Sequence, residues 1–209
     1  MNTIKKMLWQ MLGRVILGEA VLRVKGPTIL HISDTPTSFY PELNRLLGIL
    51  KPNCIIHTGD LADDLKLQLR PSLLGKYESA LVKLMPIMNQ SSAEKVICTL
   101  GNHDNLDLVR KYAGRAEVYG DAITENFQGV TISIAHYHEA ALKASKLKMS
   151  DFYLYGHDLS LKSQRTNEVY YLNGIEAMHL IDLSTGEVFE IMYPGGTDSA
   201  RLNRKRMRL

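Results

Sequence analysis

Five apolar segments of this chain each end in a short cluster of polar residues of the kind that binds metal ions. The segments are rich in β-branched and aromatic residues, which favour strands. In chain order, the clusters are Asp34, Gly59-Asp60, Gly101-Asn102-His103-Asp104, His136-Tyr137-His138 and Gly156-His157. Ligands bind at the carboxyl ends of strands in open α/β sheets, so segments distant in sequence can bring these side chains to one edge. The pattern therefore predicts one metal site at a sheet edge.

Between these clusters, predicted strands alternate with predicted helices. The strands that precede the clusters are predicted at residues 28–33, 54–58, 95–100, 130–135 and 152–155. Helices are predicted at residues 41–50, 72–84, 106–112 and 139–147. Three later strands are predicted at residues 168–172, 177–183 and 188–192, with a hairpin turn before the last. This alternation is typical of an α/β domain.

The order of the five clusters resembles that of the calcineurin-like metallophosphoesterase superfamily. The resemblance spans roughly residues 28–193, and Gly101-Asn102-His103-Asp104 is its most specific part. It implies a four-layer α/β/β/α sandwich in which two metal ions share one bridging aspartate. It also implies a metal-dependent hydrolase that acts on a small phosphate ester, either a monoester or a diester.

The resemblance assigns a metal-ligand role to five residues. In the family, one metal is held by the residues that correspond to Asp60, Asn102, His136 and His157, and all four are present. The other metal position keeps Asp34 and shares the bridging Asp60. The resemblance therefore implies one complete ligand set and part of a second.

Two histidines of the family pattern are missing. The first motif, Asp-x-His, reads Asp34-Thr35-Pro36, and the last, Gly-His-x-His, reads Gly156-His157-Asp158-Leu159. Neither Pro36 nor Leu159 has an atom that donates a lone pair to a metal. Asp158 would supply a further oxygen if its loop turned inward. We therefore predict one intact metal position and one weakened position.

The resemblance also assigns proton transfer. His103 would protonate the leaving oxygen, and Asp104 would hold the His103 ring. The oxygen-rich remnant of Asp34, Asp60 and water suits a hard ion, so Mn²⁺ is the predicted metal, with Mg²⁺, Fe²⁺ and Zn²⁺ as alternatives and one or two ions bound. A two-metal clamp that loses one ion also loses charge, so a slow enzyme is expected.

Each of these residues also has a purely structural interpretation. Asp34 and Asp60 could cap helices, and Asn102 could belong to a turn. His136 and His157 could be hydrogen-bonded structural histidines. The joint pattern in family order favours the metal site. The competing function is a catalytically weak or inactive module of the phosphoesterase fold that binds a partner or acts as a scaffold.

Length and composition limit the architecture. The chain has 209 residues, of which 45% are hydrophobic, enough for one domain with a substantial core, predicted at residues 26–194. His31 and His57 lie inside predicted strands and are interpreted as core or supporting residues. Cys54 and Cys98 are interpreted as buried thiols in a reducing compartment. The sequence has no apolar run long enough to span a bilayer. A cytoplasmic location is expected, with peripheral membrane attachment left open.

Both ends of the chain are basic. Residues 1–25 hold five basic residues and one acidic residue, a net charge of +4, and residues 201–209 hold five basic residues, a net charge of +5. An amphipathic helix is predicted within residues 1–25. Its apolar face consists of Ile4, Met7, Leu8, Met11, Leu12, Val15 and Ile16. This helix could pack on the domain, join a homo-oligomer, lie on an anionic membrane surface or fray. Residues 195–209 are predicted to be a disordered basic tail, and the basic ends could bind nucleic acid or phospholipid.

Overall fold

A computed structural model of the chain describes residues 13–145 and 149–202. Within these ranges the strands are β1 (Thr28–Ile32), β2 (Cys54–His57), β3 (Lys95–Thr99), β4 (Glu117–Tyr119), β5 (Ile123–Phe127), β6 (Val130–Ile134), β7 (Phe152–Tyr155), β8 (Gln164–Thr166), β9 (Val169–Asn173), β10 (Met178–Asp182) and β11 (Val188–Ile191). The α-helices are α1 (Glu19–Arg23), α2 (Tyr40–Leu50), α3 (Leu74–Asn89), α4 (Leu106–Tyr112), α5 (His138–Ala144) and α6 (Thr197–Arg201). Single 3₁₀ turns occur at Thr37–Phe39, Asp63–Leu65 and Pro71–Leu73. None of the helices in the described ranges has the length and apolarity needed to cross a bilayer.

The strands form two mixed sheets. The first has the order β11-β10-β1-β2-β3-β4, in which β1 to β4 are parallel and β10 and β11 are antiparallel to their neighbours. The second has the order β5-β6-β7-β9-β8, in which β6, β7 and β9 are parallel. Neighbouring parallel strands end on the same side of a sheet. The segments that follow β1, β2 and β3 therefore leave the first sheet at one edge, and those that follow β6 and β7 leave the second sheet at one edge.

Alternation along β1 separates two hydrophobic cores, because successive side chains of a strand point to opposite faces. Leu30 belongs to the core between the first sheet and helices α2 to α4, where it joins Leu81 of α3. Ile29 belongs to the core between the two sheets, together with Leu154 of β7. A third cluster packs Ala141 of α5 against the outer face of β7. Each fully buried leucine or isoleucine contributes about 1.5–3 kcal/mol. The predicted four-layer α/β/β/α sandwich is confirmed.

Most predicted elements are present. Helix α4 and strand β7 have the predicted bounds, and the other predicted strands differ by one residue at one or both ends. Helix α3 continues to Asn89, beyond the predicted end at residue 84, because the buried Met85 and Met88 keep its last turns against the core. The strands that the sequence did not predict are β4, β5 and β8. They are short and polar, and β8 is fully exposed, so they lack the apolar signal of a core strand. The predicted burial of Cys54 and Cys98 is confirmed.

The amphipathic N-terminal helix was predicted within residues 1–25, of which residues 1–12 lie outside the described residues. Its last part is described, and residues 14–18 are not helical there. Instead, the backbone N–H of Val15 donates to Glu42 Oε1 at 2.6 Å, and Arg14 Nη1 donates to Glu42 Oε2 at 3.1 Å. Val15 is 3% exposed. This short segment therefore packs on α2 of the same chain.

The prediction of a disordered tail from residue 195 is wrong for the part that the structure describes. Residues Thr197–Arg201 form α6, and Arg201 is 1% exposed. Composition alone indicated disorder because a basic, polar segment has little apolar surface to bury. The tertiary structure supplies carbonyl oxygens that accept hydrogen bonds from Arg201. Residues 203–209 of the predicted tail lie outside the described residues.

Candidate metal centre

The segments that follow β1, β2, β3, β6 and β7 meet at one edge of the sandwich. They carry the five predicted ligands, Asp34, Asp60, Asn102, His136 and His157. Contacts between these segments include a hydrogen bond from the His157 backbone N–H to Asp34 and one from the His103 backbone N–H to Asp60. Neither aspartate caps a helix through its side chain. The prediction that separate strand ends converge at one place matches the structure.

His136 Nε2 and three neighbouring side-chain atoms form a cluster of four potential ligand atoms. His136 Nε2 lies 3.2 Å from Asn102 Oδ1, 3.2 Å from His157 Nδ1 and 3.6 Å from Asp60 Oδ2. Atoms bound at about 2.1 Å to one ion in tetrahedral or octahedral geometry lie roughly 3.0–3.4 Å from one another. The two distances of 3.2 Å fall in this range and the third, 3.6 Å, lies just beyond it, so the contacts of His136 Nε2 are close to those expected around a single divalent ion.

The protonation of His136 also fits a metal ligand. Its Nδ1 atom lies 2.7 Å from the carbonyl oxygen of Thr58. Because a carbonyl oxygen only accepts hydrogen bonds, Nδ1 carries the proton and Nε2 presents its lone pair to the centre of the cluster. A carbonyl that holds the second ring nitrogen is the usual outer partner of a metal-bound histidine.

Tyr137 covers the pair of histidines. Its ring centroid lies 4.9 Å from that of His136 and 4.6 Å from that of His157, and its hydroxyl donates to Asn102 Oδ1 at 3.2 Å. The residue itself is 40% exposed. Tyr137 therefore forms the wall between the ligand cluster and solvent, a role that the sequence pattern did not indicate.

Asp60 is held in a crowded, buried position. Its backbone is left-handed, with φ of 55°, and its Oδ1 atom accepts the His103 N–H at 2.8 Å. A Cβ at Gly101 would lie 2.1 Å from this oxygen, so only glycine fits beside it. Burial raises the pKa of Asp60, and the carboxylates of Asp104, Asp34 and Asp63 raise it further. A cation next to Asp60 would offset this repulsion.

Asp34 lies at the same edge but is held differently. Its backbone is also left-handed, with φ of 50°, and its Oδ2 atom accepts the His157 N–H at 3.1 Å. A Cβ at Gly156 would lie 2.4 Å from this oxygen. The three-residue ligand clusters in the described ranges are Asp60 with His136 and His157, and Asp60 with Asp63 and His103. Asp34 belongs to neither cluster.

The two missing histidines leave positions that supply no ligand. Pro36 is buried and precedes the turn at Thr37–Phe39, and Leu159 is partly buried. Asp158 does not compensate, because its side chain is exposed and its Oδ1 atom accepts the Ser160 N–H at 2.8 Å. The weakened metal position remains a prediction of the sequence.

His103 is buried beside the ligand cluster. It is 7% exposed, and one nitrogen of its ring lies 3.2 Å from Asn102 Nδ2. Burial lowers the pKa of His103 to about 4, and Lys66 and His136 lower it as well. The free protein therefore holds a neutral ring at pH 7.

The role predicted for Asp104 is wrong. Its carboxylate does not hold the His103 ring but accepts the backbone N–H groups of Asp60, Leu61 and Gly101, at 2.7, 2.8 and 2.8 Å. The hydroxyl of Tyr77 also donates to it, at 2.7 Å. Four donors occupy both oxygens, so Asp104 fixes the loop that carries Asp60 in place.

Asp63 is a residue of the site that the sequence analysis missed. It is fully buried, its Oδ1 atom lies 2.5 Å from Lys66 Nζ, and its Oδ2 atom has no hydrogen-bond partner among the described residues. Burial raises the pKa of Asp63 to about 6, with a further contribution from Asp34. The available signal was a second aspartate one helical turn after Gly59-Asp60. Asp63 does not directly follow a strand, so the pattern of polar clusters at strand ends does not include it.

The interpretation of His31 and His57 as core or supporting residues agrees with the structure, and His179 lies in the same core. His31, His57 and His179 are fully buried. His57 Nε2 lies 2.9 Å from Thr35 Oγ1, below the Asp34 loop, and the rings of His31 and His179 stack at 5.4 Å. These residues support the strands under the site and do not reach the ligand cluster.

Comparison with known structures identifies the fold. A solved archaeal phosphodiesterase is 20% identical, with a TM-score of 0.53 over 79% of this chain and 99% of that one. YfcE, a phosphoesterase from E. coli, is 12% identical, with a TM-score of 0.54 over 80% of this chain and 100% of that one. A Vps29 mutant from Entamoeba histolytica is 16% identical, with a TM-score of 0.50 over 81% of this chain and 94% of that one. At these identities, the likeness shows the fold alone.

A comparison with curated protein sequences gave no match. The family model described as calcineurin-like phosphoesterase matches residues 27–190. These residues include all five strands that precede the clusters and every predicted ligand. The matched sequence, the two-sheet sandwich and the convergent ligand atoms lead to one conclusion: this chain belongs to the calcineurin-like phosphoesterase family.

Proposed function

We propose that this protein hydrolyses a small phosphate ester with a divalent ion held by Asp60, Asn102, His136 and His157. Membership of the calcineurin-like phosphoesterase family supports phosphoester hydrolysis in general. The observation that carries the proposal is the approach of three ligand atoms to within 3.2–3.6 Å of His136 Nε2. Hydrogen bonding alone does not require two imidazoles, a carboxylate and an amide oxygen at one point.

The donor set narrows the choice of metal. Two imidazole nitrogens and two oxygens suit Mn²⁺, Fe²⁺ and Zn²⁺, whereas Mg²⁺ prefers oxygen ligands throughout. The adjoining carboxylates of Asp34 and Asp63 add oxygen character, which favours Mn²⁺. We propose Mn²⁺ as the working ion and one tightly bound ion per chain, because Pro36 and Leu159 leave the adjoining position poor in ligands.

The chain's own residues have separate tasks in this proposal. A divalent ion would supply Lewis-acid polarisation of the phosphoryl group and activate water for attack. His103 would donate a proton to the leaving oxygen. Its ring is neutral in the free protein, and the negative charge of a phosphate ester bound beside it would favour the protonated form. Tyr137 and Asn102 would limit the access of water to the cluster.

Metal content and hydrolysis measured together test this proposal. The protein is purified with Mn²⁺, ions per chain are counted by mass spectrometry, and p-nitrophenyl phosphate and its bis ester are offered as substrates. His157→Ala is expected to lose both the ion and turnover. His138→Ala is the matched control, because His138 lies two residues from His136 yet contacts Tyr155 and belongs to neither described ligand cluster.

A second candidate function is a non-catalytic binding module. The observation that favours it is the absence of a ligand atom at Pro36 and Leu159. In this case the wild-type protein would bind no Mn²⁺ and would hydrolyse neither ester, even at high metal concentration. One bound ion with turnover excludes this candidate, and two tightly bound ions would show that other residues compensate for Pro36 and Leu159.

A further inference from the structure

Arg201 is a buried cation that contacts the backbone of the metal-site loop. It lies on α6, outside the residues matched by the family model, and is 1% exposed. Its Nε atom donates to the carbonyl oxygen of Asp34 at 2.7 Å, and Nη2 donates to that of Ser33 at 3.2 Å. Both carbonyls belong to the segment that presents the Asp34 carboxylate.

The other contacts of Arg201 join this segment to a second loop. Nη1 donates to the carbonyl oxygen of Ile175 at 2.7 Å and to Asp198 Oδ1 at 2.9 Å. The guanidinium carbon lies 4.2 Å from the ring centroid of Tyr193. The Tyr193 hydroxyl lies 3.1 Å from the Ser33 carbonyl oxygen and 2.8 Å from that of Gly174. Arg201 and Tyr193 thus tie the loop after β1 to the loop after β9.

Burying the Arg201 guanidinium with a single carboxylate partner carries a large desolvation penalty, which attachment of the five-residue helix α6 does not require. The Asp198 side chain is 62% exposed, so its charge is screened by water and offsets little of the desolvation of Arg201. Carbonyl dipoles supply most of the compensation. An apolar side chain would attach α6 without this desolvation penalty. The carbonyl contacts therefore indicate a role for Arg201 in holding the loop of Ser33 and Asp34.

The loop needs such support because Asp34 has a strained conformation. Its φ of 50° lies in the left-handed region, which is uncommon for any residue other than glycine and carries a cost in backbone strain. On its other side, Asp34 accepts the backbone N–H of His157, a metal ligand, at 3.1 Å. A change in the Asp34 backbone would therefore shift both Asp34 and His157. Helix α6 also contacts the turn at Asp63–Leu65, which carries Asp63.

We propose that Arg201 is a positioning residue that holds the Ser33-Asp34 backbone so that Asp34 and His157 are correctly placed at the metal centre. The C-terminal segment 195–202 then helps to position residues of the metal site. This inference rests on the proposed metal site, but its first test requires no metal. Loss of an outer partner of a metal ligand typically weakens metal binding by about 10–100-fold.

Arg201→Gln is the test variant, and Asp198→Asn and Arg165→Gln are the controls. Asp198→Asn removes the ion pair but keeps the carbonyl contacts. Arg165→Gln removes an exposed arginine that pairs with Glu168 at the same spacing of three residues. In the metal-free protein, amide hydrogen exchange is measured at Asp34 and Thr35, whose N–H groups donate to Gly59 and Asp60. We expect at least tenfold faster exchange at these amides in Arg201→Gln and less than twofold change in the controls.

The second readout is the metal itself. We expect Arg201→Gln to weaken Mn²⁺ binding by about tenfold or more and to alter the visible absorption spectrum of bound Co²⁺, which reports ligand geometry. Arg201→Lys, which keeps the charge but reaches fewer carbonyls, should have an intermediate effect and replaces Arg201→Gln if that variant does not fold. Unchanged amide exchange at Asp34 and Thr35 in a folded variant overturns the inference. If exchange is faster in Arg201→Gln but the wild-type protein binds no metal, Arg201 still positions the Ser33-Asp34 backbone, and only the proposed function is rejected.

Discussion

The Nε2 atom of His136 and the Nδ1 atom of His157 lie 3.2 Å apart, although 21 residues separate them in the sequence. Two imidazole nitrogens at this distance share either a proton or a cation. Because the Thr58 carbonyl holds the proton of His136 on Nδ1, the His136 lone pair faces His157. The His136 lone pair is therefore available to an ion that binds between the two rings.

A double-mutant cycle on this pair tests whether one ion unites them. We expect His136→Ala and His157→Ala each to weaken Mn²⁺ binding by more than about 100-fold, beyond the loss of an outer partner. The double variant should lose little more than either single variant, because residues that share one partner are not additive. Binding measured by calorimetry gives the three values. Additive losses would mean that the two rings do not serve the same ion.

Removing His103 should separate chemistry from metal binding. We expect His103→Ala to keep the metal content and to lower turnover of an alkyl phosphate ester by roughly two to four decades. The loss should be smaller for p-nitrophenyl phosphate, whose leaving group needs little protonation. A variant that loses the ion instead would place His103 among the ligands, in agreement with the cluster that it forms with Asp60 and Asp63.

Asp104→Asn tests the loop-holding role of this carboxylate. The asparagine side chain must turn its NH₂ group toward backbone N–H groups that now donate to a carboxylate oxygen, so donors face donors. We expect the free energy of unfolding to fall by about 2–4 kcal/mol and Mn²⁺ binding to weaken. Asp107→Asn is the matched control, since Asp107 is exposed in the first turn of α4, and should change stability by less than about 1 kcal/mol. Equal stability of both variants would contradict the role assigned to Asp104.

Restoring two histidines tests the weakened metal position. We expect Pro36→His together with Leu159→His to raise the number of ions per chain and to raise turnover with it. Each single change should do less, because both side chains would serve one ion. A folded double variant without additional metal would mean that the two loops no longer bring residues 36 and 159 to the site, so that backbone geometry rather than ligand identity limits the position.

The stability of the fold should depend on pH through His179. Burial lowers the pKa of His179 to about 4, and its Nδ1 atom lies 3.3 Å from His31 Nδ1. The folded state therefore binds fewer protons than the unfolded state below pH 6.5, so stability is full above pH 6.5 and is lost as the pH falls toward 4. At pH 5 this one group accounts for about 2 kcal/mol. In denaturant titrations, His179→Leu should lose about that much less stability than the wild type between pH 7 and pH 5, and an identical loss would exclude His179 as the source.

Local signals in the sequence were sufficient for the sandwich and for the edge where the site lies. Strand propensity and the placement of Asp60, Asn102 and His136 directly after apolar runs depend on neighbouring residues alone. Parallel strands then bring such positions to one edge, whatever the intervening loops contain. These predictions succeeded because each depends on short-range patterns, and the parallel strand order alone brings the strand ends together.

Only the tertiary structure decided which groups hold the candidate ligands in place. The four donors to Asp104 come from residues 60, 61, 77 and 101, and composition alone favoured disorder where Arg201 is in fact buried against Ser33 and Asp34. Asp63 was missed because its burial follows from the path of a 3₁₀ turn, not from periodicity. The sequence determined the candidate ligands and their order along the chain. Which side chains hold the ligand loops depends on long-range contacts, because a polar residue pairs with whatever donor or acceptor the fold places beside it, at any distance along the chain.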